Sequence, residues 1–195
     1  MNILKSLIMM SLALALPAAA AEKTANAVNV KAALTGFQTF SGTLDGSSPI
    51  YDRIHGTTAD PGCDAPVLDS LNDGMAFDIQ CLEVIDTDPI EIILDPAATD
   101  ITDTVLTLYC DPFDPQAPSL HVVAFDDDDG MATLSALSAS DDIRLVPGLK
   151  YWLVVSTYGA GMHGSYTVQL SDNVFPCGGV AIRGATWGDL KGMYR

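Results

Sequence analysis

Turn-forming residues interrupt this sequence at short intervals. From about residue 36 onward Gly, Pro, Asn or Asp recurs roughly every 8 to 15 residues, and the segments between them are rich in β-branched and aromatic residues. Segments of this length suit strands, and no segment beyond the N-terminal region has the pattern of a long amphipathic helix. The sequence therefore predicts an all-β fold of short antiparallel strands.

Two of the predicted strands differ in their hydrophobic pattern. In Tyr166–Leu170 every second residue is apolar, which is typical of a strand with one buried face. Tyr151–Val155 is apolar throughout, which predicts a central strand covered on both sides. We expect the loop Gly159–Gly164 to join this pair as an antiparallel hairpin, and Ala132–Ala139 to be a loop or an edge strand. The other predicted strands are Val30–Leu44 with a break near Gly36, Ala76–Gln80, Ile90–Leu94, Val105–Tyr109, His121–Phe125 and Ile143–Val146; the pair itself is predicted as Tyr151–Thr157 and Ser165–Leu170.

The first 21 residues have the pattern of a cleaved signal peptide. Lys5 precedes an apolar run from Leu7 to Leu16, and the small residues Ala18–Ala21 follow. Ala-x-Ala sites place the cleavage after Ala20 or Ala21, with Ala27 as an alternative. The apolar run is too short for a comfortable membrane span, and no later segment approaches the roughly 20 apolar residues that a spanning helix needs. We therefore expect a protein that is secreted, periplasmic or attached to the cell surface.

The chain is strongly acidic. Its 195 residues include 9 Lys+Arg and 25 Asp+Glu, for a formal net charge of −16. Such a surface repels nucleic acids and anionic lipids, which makes them poor candidate partners, and cations are better ones. The alternative is that the charge serves only solubility. The length suits one domain, since domains typically have about 100 to 200 residues.

All four cysteines lie beyond the predicted signal peptide. An even number of cysteines in an exported chain favours disulfides over free thiols, and no C-x-x-C pair suggests a zinc site. Spacing alone leaves three pairings open. Our preference is for Cys63–Cys81, which closes a local loop, together with Cys110–Cys177, which ties the C-terminal part to the middle of the chain.

An ordered series of short phrases resembles the bacterial pre-peptidase C-terminal domain family. The phrases run in order between Phe40 and Ser171: Phe40–Leu44, Tyr51–Arg53, Asp103–Tyr109, Phe113–Pro115, Asp126–Gly130, Leu149–Val155 and Gly164–Val168. The resemblance implies a jelly-roll-like antiparallel β-sandwich that acts as an accessory module on exported proteins, often beside a catalytic domain and sometimes binding calcium. The predicted organisation is a signal peptide over 1–21, an N-terminal segment with the first strand over 22–39, the sandwich that the resemblance implies over 40–172, and a C-terminal tail over 173–195.

The densest group of carboxylates lies in one predicted turn. Four consecutive aspartates precede Gly130, and Ca²⁺ takes six to eight oxygen ligands in proteins. The turn is not an EF-hand, because Phe125 and Ala136 occupy the first and twelfth positions of the aligned loop. The alternative is a solvated turn, and Asp103 in particular could serve only as a turn residue. The candidate calcium ligands are Asp103, Asp111, Asp114, Asp126, Asp127, Asp128 and Asp129.

No motif marks a catalytic site. The three histidines have no metal spacing, and no serine lies in a Gly-x-Ser-x-Gly elbow, although the members of a triad can be far apart in sequence. We expect a non-enzymatic module that binds an extracellular protein or a polysaccharide, with a small secreted hydrolase as the rival interpretation. Tyr158 and Trp187 are the candidate ligand-contacting rings, for a carbohydrate-binding module above all. Trp187 could equally pack on the sandwich in a short C-terminal helix.

Overall fold

The computed structural model describes residues 38–57, 59–67 and 73–178. The predicted signal peptide, residues 30–37 of the predicted strand Val30–Leu44, and Trp187 lie outside these ranges. The described part contains a single 3₁₀ turn, Ala139–Asp141, and none of its helices is long and apolar enough to cross a membrane. Its ten strands are β1 (Gln38–Leu44), β2 (Ile50–Tyr51), β3 (Met75–Val84), β4 (Ile92–Leu94), β5 (Thr104–Cys110), β6 (Val122–Asp126), β7 (Ala136–Leu137), β8 (Tyr151–Thr157), β9 (Gly164–Leu170) and β10 (Val174–Pro176).

The strands form two antiparallel sheets. The smaller sheet has the order β1-β9-β4-β7, and the larger one has the order β10-β3-β8-β5-β6, with β2 paired to the start of β3. Apolar side chains from both sheets meet in one core; Leu44, Ile92 and Val168 come from the smaller sheet, and Leu106 and Leu153 from the larger. The prediction of an all-β antiparallel sandwich is therefore confirmed.

The larger sheet is covered on its outer face as well. The covering segment, residues 50–57 and 59–67, places Tyr51, Ile54 and Ala65 against Tyr109 and Val154 of the sheet. This second cluster explains why β5 and β8 are apolar at consecutive positions, and it confirms Tyr151–Val155 as a central strand covered on both sides. In β9, by contrast, buried and partly exposed residues alternate as predicted. Each fully buried Leu, Val or Phe side chain contributes about 1.5–3 kcal/mol.

The predicted hairpin between β8 and β9 is wrong. β8 pairs with β3 and β5 in the larger sheet, whereas β9 pairs with β1 and β4 in the smaller one. The loop after Thr157 therefore carries the chain from one sheet to the other. The reason is burial: a strand covered on both faces and a strand with one partly exposed face need different surroundings.

Other differences from the predictions concern short segments of the chain. Ile143–Val146 is not a strand, although Ile143 and Leu145 are buried and the Ile143 carbonyl accepts a hydrogen bond from Ile90 N–H at 2.9 Å. The strands β2, β7 and β10 have only two or three residues each and were not predicted individually. Ala136–Leu137 is an edge strand, in agreement with one of the two expectations for that stretch.

The cysteines form two disulfides, but with a pairing different from the preferred one. Cys63 is bonded to Cys110 and Cys81 to Cys177. The covering segment lies along β6, where Asp60 N–H and Ala65 N–H donate to the Val123 and Val122 carbonyls, and this brings Cys63 to the end of β5. Cys177 follows β10, which pairs with β3 beside Cys81. Strand pairing between distant segments therefore determines the connectivity, and the local loop that we favoured does not form.

Candidate functional site

The acidic turn begins where β6 ends. Asp126 lies opposite Leu106 of β5, and the chain then turns back toward β7. Gly130 N–H donates to the Leu134 carbonyl at 2.8 Å, which closes the turn. A Cβ atom at position 130 would collide with the same carbonyl oxygen, so the backbone approach requires glycine.

Asp126 joins the edges of the two sheets. Its carboxylate is buried, and Oδ2 accepts hydrogen bonds from Ala136 N–H of β7 at 2.7 Å and from Asp129 N–H at 3.1 Å. Burial raises the pKa of Asp126 to about 6, and the Asp129 carboxylate adds to the increase, whereas the two backbone N–H groups act in the opposite direction. The result is a carboxylate held in a fixed position at the end of the sandwich.

Three of the four consecutive aspartates converge on one point. Asp126, Asp128 and Asp129 each offer one carboxylate oxygen, and these oxygens all lie within 4.8 Å of one another. Asp128 and Asp129 are exposed. A group of hard anionic oxygens at this separation has the chemistry to hold a divalent cation such as Ca²⁺.

Asp103 lies beside the same turn. It precedes β5, and its carbonyl accepts a hydrogen bond from Tyr158 N–H at 3.2 Å. Burial raises the pKa of Asp103, and the charges of Asp127 and Asp128 raise it further. Burial and the charge of Asp128 likewise raise the pKa of Asp127. Leu106 of β5 lies opposite Asp126, and Thr104 N–H donates to the Thr133 carbonyl at 3.2 Å, so Asp103 lies at the same end of the sheet as the acidic turn. We name the group of Asp103 and Asp126–Asp129 the acidic rim.

Asp111 and Asp114 are not brought to this site. They follow β5, whereas Asp103 precedes it, and a strand rises about 3.3 Å per residue, so roughly 25 Å separates Asp103 from Asp111. Asp111 Oδ1 accepts a hydrogen bond from Trp152 Nε1 at 2.7 Å, and Asp114 Oδ1 accepts one from Gln116 N–H at 2.9 Å. Both carboxylates therefore serve local structure at the other end of the strand.

Tyr158 presents a partly exposed ring next to the acidic rim. The guanidinium of Arg53 lies 4.7 Å from the ring centroid, and Arg53 also donates to the Tyr158 carbonyl at 2.8 Å. Arg53 Nε forms an ion pair with Asp73 at 2.7 Å. Neither Arg53 nor Asp73 was predicted as a site residue, since nothing in the local sequence marks two residues 20 positions apart as partners.

The described histidines have no catalytic arrangement. The Ser165 hydroxyl donates to Asp100, and within the described ranges none of His55, His121 and His163 has a hydrogen bond to a serine hydroxyl or a cysteine thiol. His55 is close enough to Asp127 to contribute an opposing electrostatic effect on its pKa.

Comparison of the chain with protein-family models, with curated proteins and with solved structures finds no match. The resemblance to the pre-peptidase C-terminal family thus stays a prediction that rests on the ordered phrases alone.

Proposed function

We propose that this protein is an exported, non-enzymatic binding module whose acidic rim is ordered by calcium and recognises an extracellular protein or polysaccharide. The observation that carries the proposal is the convergence of the Asp126, Asp128 and Asp129 carboxylates within 4.8 Å. Asp103 lies at the same end of the sheet, since Leu106 of β5 is opposite Asp126. The two disulfides support export, because such bonds persist in oxidising compartments.

Calcium suits the rim better than a softer metal does. The available donors are carboxylate oxygens, and Ca²⁺ prefers oxygen ligands and tolerates irregular geometry. Asp126 is the fixed ligand, since two backbone N–H groups hold its Oδ2. The exposed Asp128 and Asp129 carboxylates complete the set with water, and a divalent charge relieves the repulsion among them.

A calcium titration followed by thermal unfolding tests the metal site. For a site with a dissociation constant near 10⁻⁴ M, about 10 mM Ca²⁺ stabilises the folded state by roughly 2.7 kcal/mol, which raises the Tm by several degrees. We expect the Asp128→Asn/Asp129→Asn double variant to lose this increase. Asp114→Asn is the matched control and keeps it, because Asp114 lies at the other end of β5 and asparagine can accept the same turn hydrogen bond. An unchanged wild-type Tm at 10 mM Ca²⁺ would refute calcium binding.

Carbohydrate recognition is the second candidate, favoured by the position of Tyr158. Tyr158 is 42% exposed, Arg53 lies over its ring, and its backbone N–H donates to the carbonyl of Asp103 in the acidic rim. An exposed ring beside a cation site can stack on a sugar while the ion orders the surrounding loops.

Pull-down on insoluble cellulose, chitin and xylan, with Ca²⁺ and with a chelator, separates the two ligand classes. For a sugar ligand we expect Tyr158→Ala to abolish retention and Tyr158→Phe to preserve it, because the latter keeps the ring. Failure of every polysaccharide to retain the wild-type protein would contradict carbohydrate recognition and favour a protein partner.

A further inference from the structure

A cleft separate from the acidic rim lies between β2 and the loop that follows β5. Its volume is about 430 Å³, which is within the usual range for ligand sites. One wall consists of Ile50, Tyr51, Asp52 and Gly74, and the other of residues 115–119. The Ile50 side chain on the first wall is 65% exposed.

The strand on the first wall has a free edge. β2 pairs with β3 on one side, with Ile50 opposite Ala76. The carbonyl of the preceding residue, Pro49, accepts a hydrogen bond from Phe77 N–H at 2.9 Å. Because hydrogen-bonded and non-hydrogen-bonded pairs alternate along an antiparallel ladder, Ile50 directs its own N–H and C=O away from β3. Within the described ranges neither the N–H nor the C=O of Ile50 has a hydrogen-bond partner.

The chemistry of the cleft selects the kind of chain that can pair with this edge. Pro115, Ala117 and Pro118 present small apolar surfaces opposite Ile50, whereas Asp52 supplies a carboxylate, and neither wall contains lysine or arginine. The whole chain carries 25 acidic and 9 basic residues, so its field attracts cationic partners and repels acidic ones.

We infer that this cleft is a docking site for an extended basic segment of a partner protein, which adds a strand to the free edge of β2. The segment alternates small apolar side chains, which enter the cleft, with lysine or arginine side chains, which face the acidic surface. Its backbone hydrogen-bonds to Ile50, in the manner of other strand-addition complexes. Calcium has no part in this interaction.

The test measures the fluorescence anisotropy of a labelled eight-residue peptide of alternating lysine and valine, in the presence of a chelator. We expect saturable binding with a dissociation constant below about 1 mM, because the alternation of valine and lysine matches the cleft on one side and the acidic surface on the other. The affinity should weaken between 20 and 150 mM salt, since salt screens the charge attraction. A peptide with the same charges but N-methylated at alternate residues cannot pair its backbone, and we expect at least tenfold weaker binding. Equal binding of the two peptides would reduce the effect to general charge attraction and overturn the inference.

Substitutions at position 50 separate backbone pairing from side-chain contact. Ile50→Pro removes the free N–H but no bond of the β2–β3 ladder, and we expect at least a tenfold loss of affinity. Ile50→Ala keeps the N–H, and its affinity is expected within about threefold of wild type. Ala117→Trp fills the cleft from the opposite wall and abolishes binding, which keeps the test valid if Ile50→Pro perturbs folding. Wild-type protein that does not bind the lysine–valine peptide, or unchanged affinity in Ala117→Trp, would overturn the inference.

Discussion

The buried Asp126 carboxylate makes the stability of the calcium-free protein depend on pH. Its pKa is about 6 in the folded protein, against an ordinary value of 3.8. Between these values the folded state binds more protons than the unfolded state does, so the free energy of unfolding decreases as the pH rises from about 4 to 6. A difference of about 2 pKa units corresponds to about 3 kcal/mol, which is the upper limit for this group.

Asp126→Asn isolates the effect. The asparagine carbonyl can accept the same two backbone hydrogen bonds, but it does not titrate, so the variant should lose most of the decrease between pH 4 and 6. Urea unfolding at several pH values, with a chelator present and the disulfides intact, measures the two profiles. Asp103 and Asp127, whose pKa values are also raised, contribute in the same direction to both proteins and cancel in the comparison. Parallel profiles for wild type and Asp126→Asn would show that burial does not penalise this carboxylate.

Three further changes test the fold. Gly130→Ala should cost about 1–3 kcal/mol of urea-measured stability, because the new Cβ meets the Leu134 carbonyl, whereas Gly46→Ala, which has open space around it, should be nearly neutral; equal effects would contradict the turn geometry. Removing the Cys63–Cys110 and Cys81–Cys177 disulfides, whose cysteines are 47 and 96 residues apart, should cost about 4 and 5 kcal/mol of stability respectively. Peptide mapping under non-reducing conditions identifies the pairing, and any other pairing would contradict the structure. Arg53→Met breaks a buried ion pair and should cost about 3 kcal/mol, whereas Arg144→Met, in an exposed pair, should cost less than about 1 kcal/mol; similar losses would argue against the burial of Arg53.

Local hydrophobic patterns were sufficient to predict the fold class. The alternation in Tyr166–Leu170 and the continuous apolar run in Tyr151–Val155 each report how many faces of a strand are buried, and the structure agrees with both. They do not report which strands pair. The β8–β9 hairpin and the cysteine pairing were wrong for this reason, since both depend on contacts between segments that are distant in sequence.

The residues of the candidate site also differ in whether local sequence or strand pairing brings them together. Asp126, Asp128 and Asp129 could be predicted together because the chain itself places them in one turn. Asp103 lies near that turn only because β5 pairs with β6 and β8. The same strand places Asp111 at its opposite end, away from the turn. Arg53 of the covering segment pairs with Asp73, which lies just before β3, and no local sequence pattern marks the two as partners. Only the folded structure shows their ion pair beside Tyr158.

The Cys63–Cys110 bond fastens the covering segment to the larger sheet. When Cys63 and Cys110 are reduced this link is absent, and the segment is held by the apolar contacts of Tyr51 and Ile54, by backbone hydrogen bonds and by the Arg53–Asp73 ion pair. Displacement of this segment would expose an apolar surface on β5 and β8, of the kind that chaperones and proteases recognise. The stability of this region therefore depends on an oxidising environment, in which the Cys63–Cys110 bond persists.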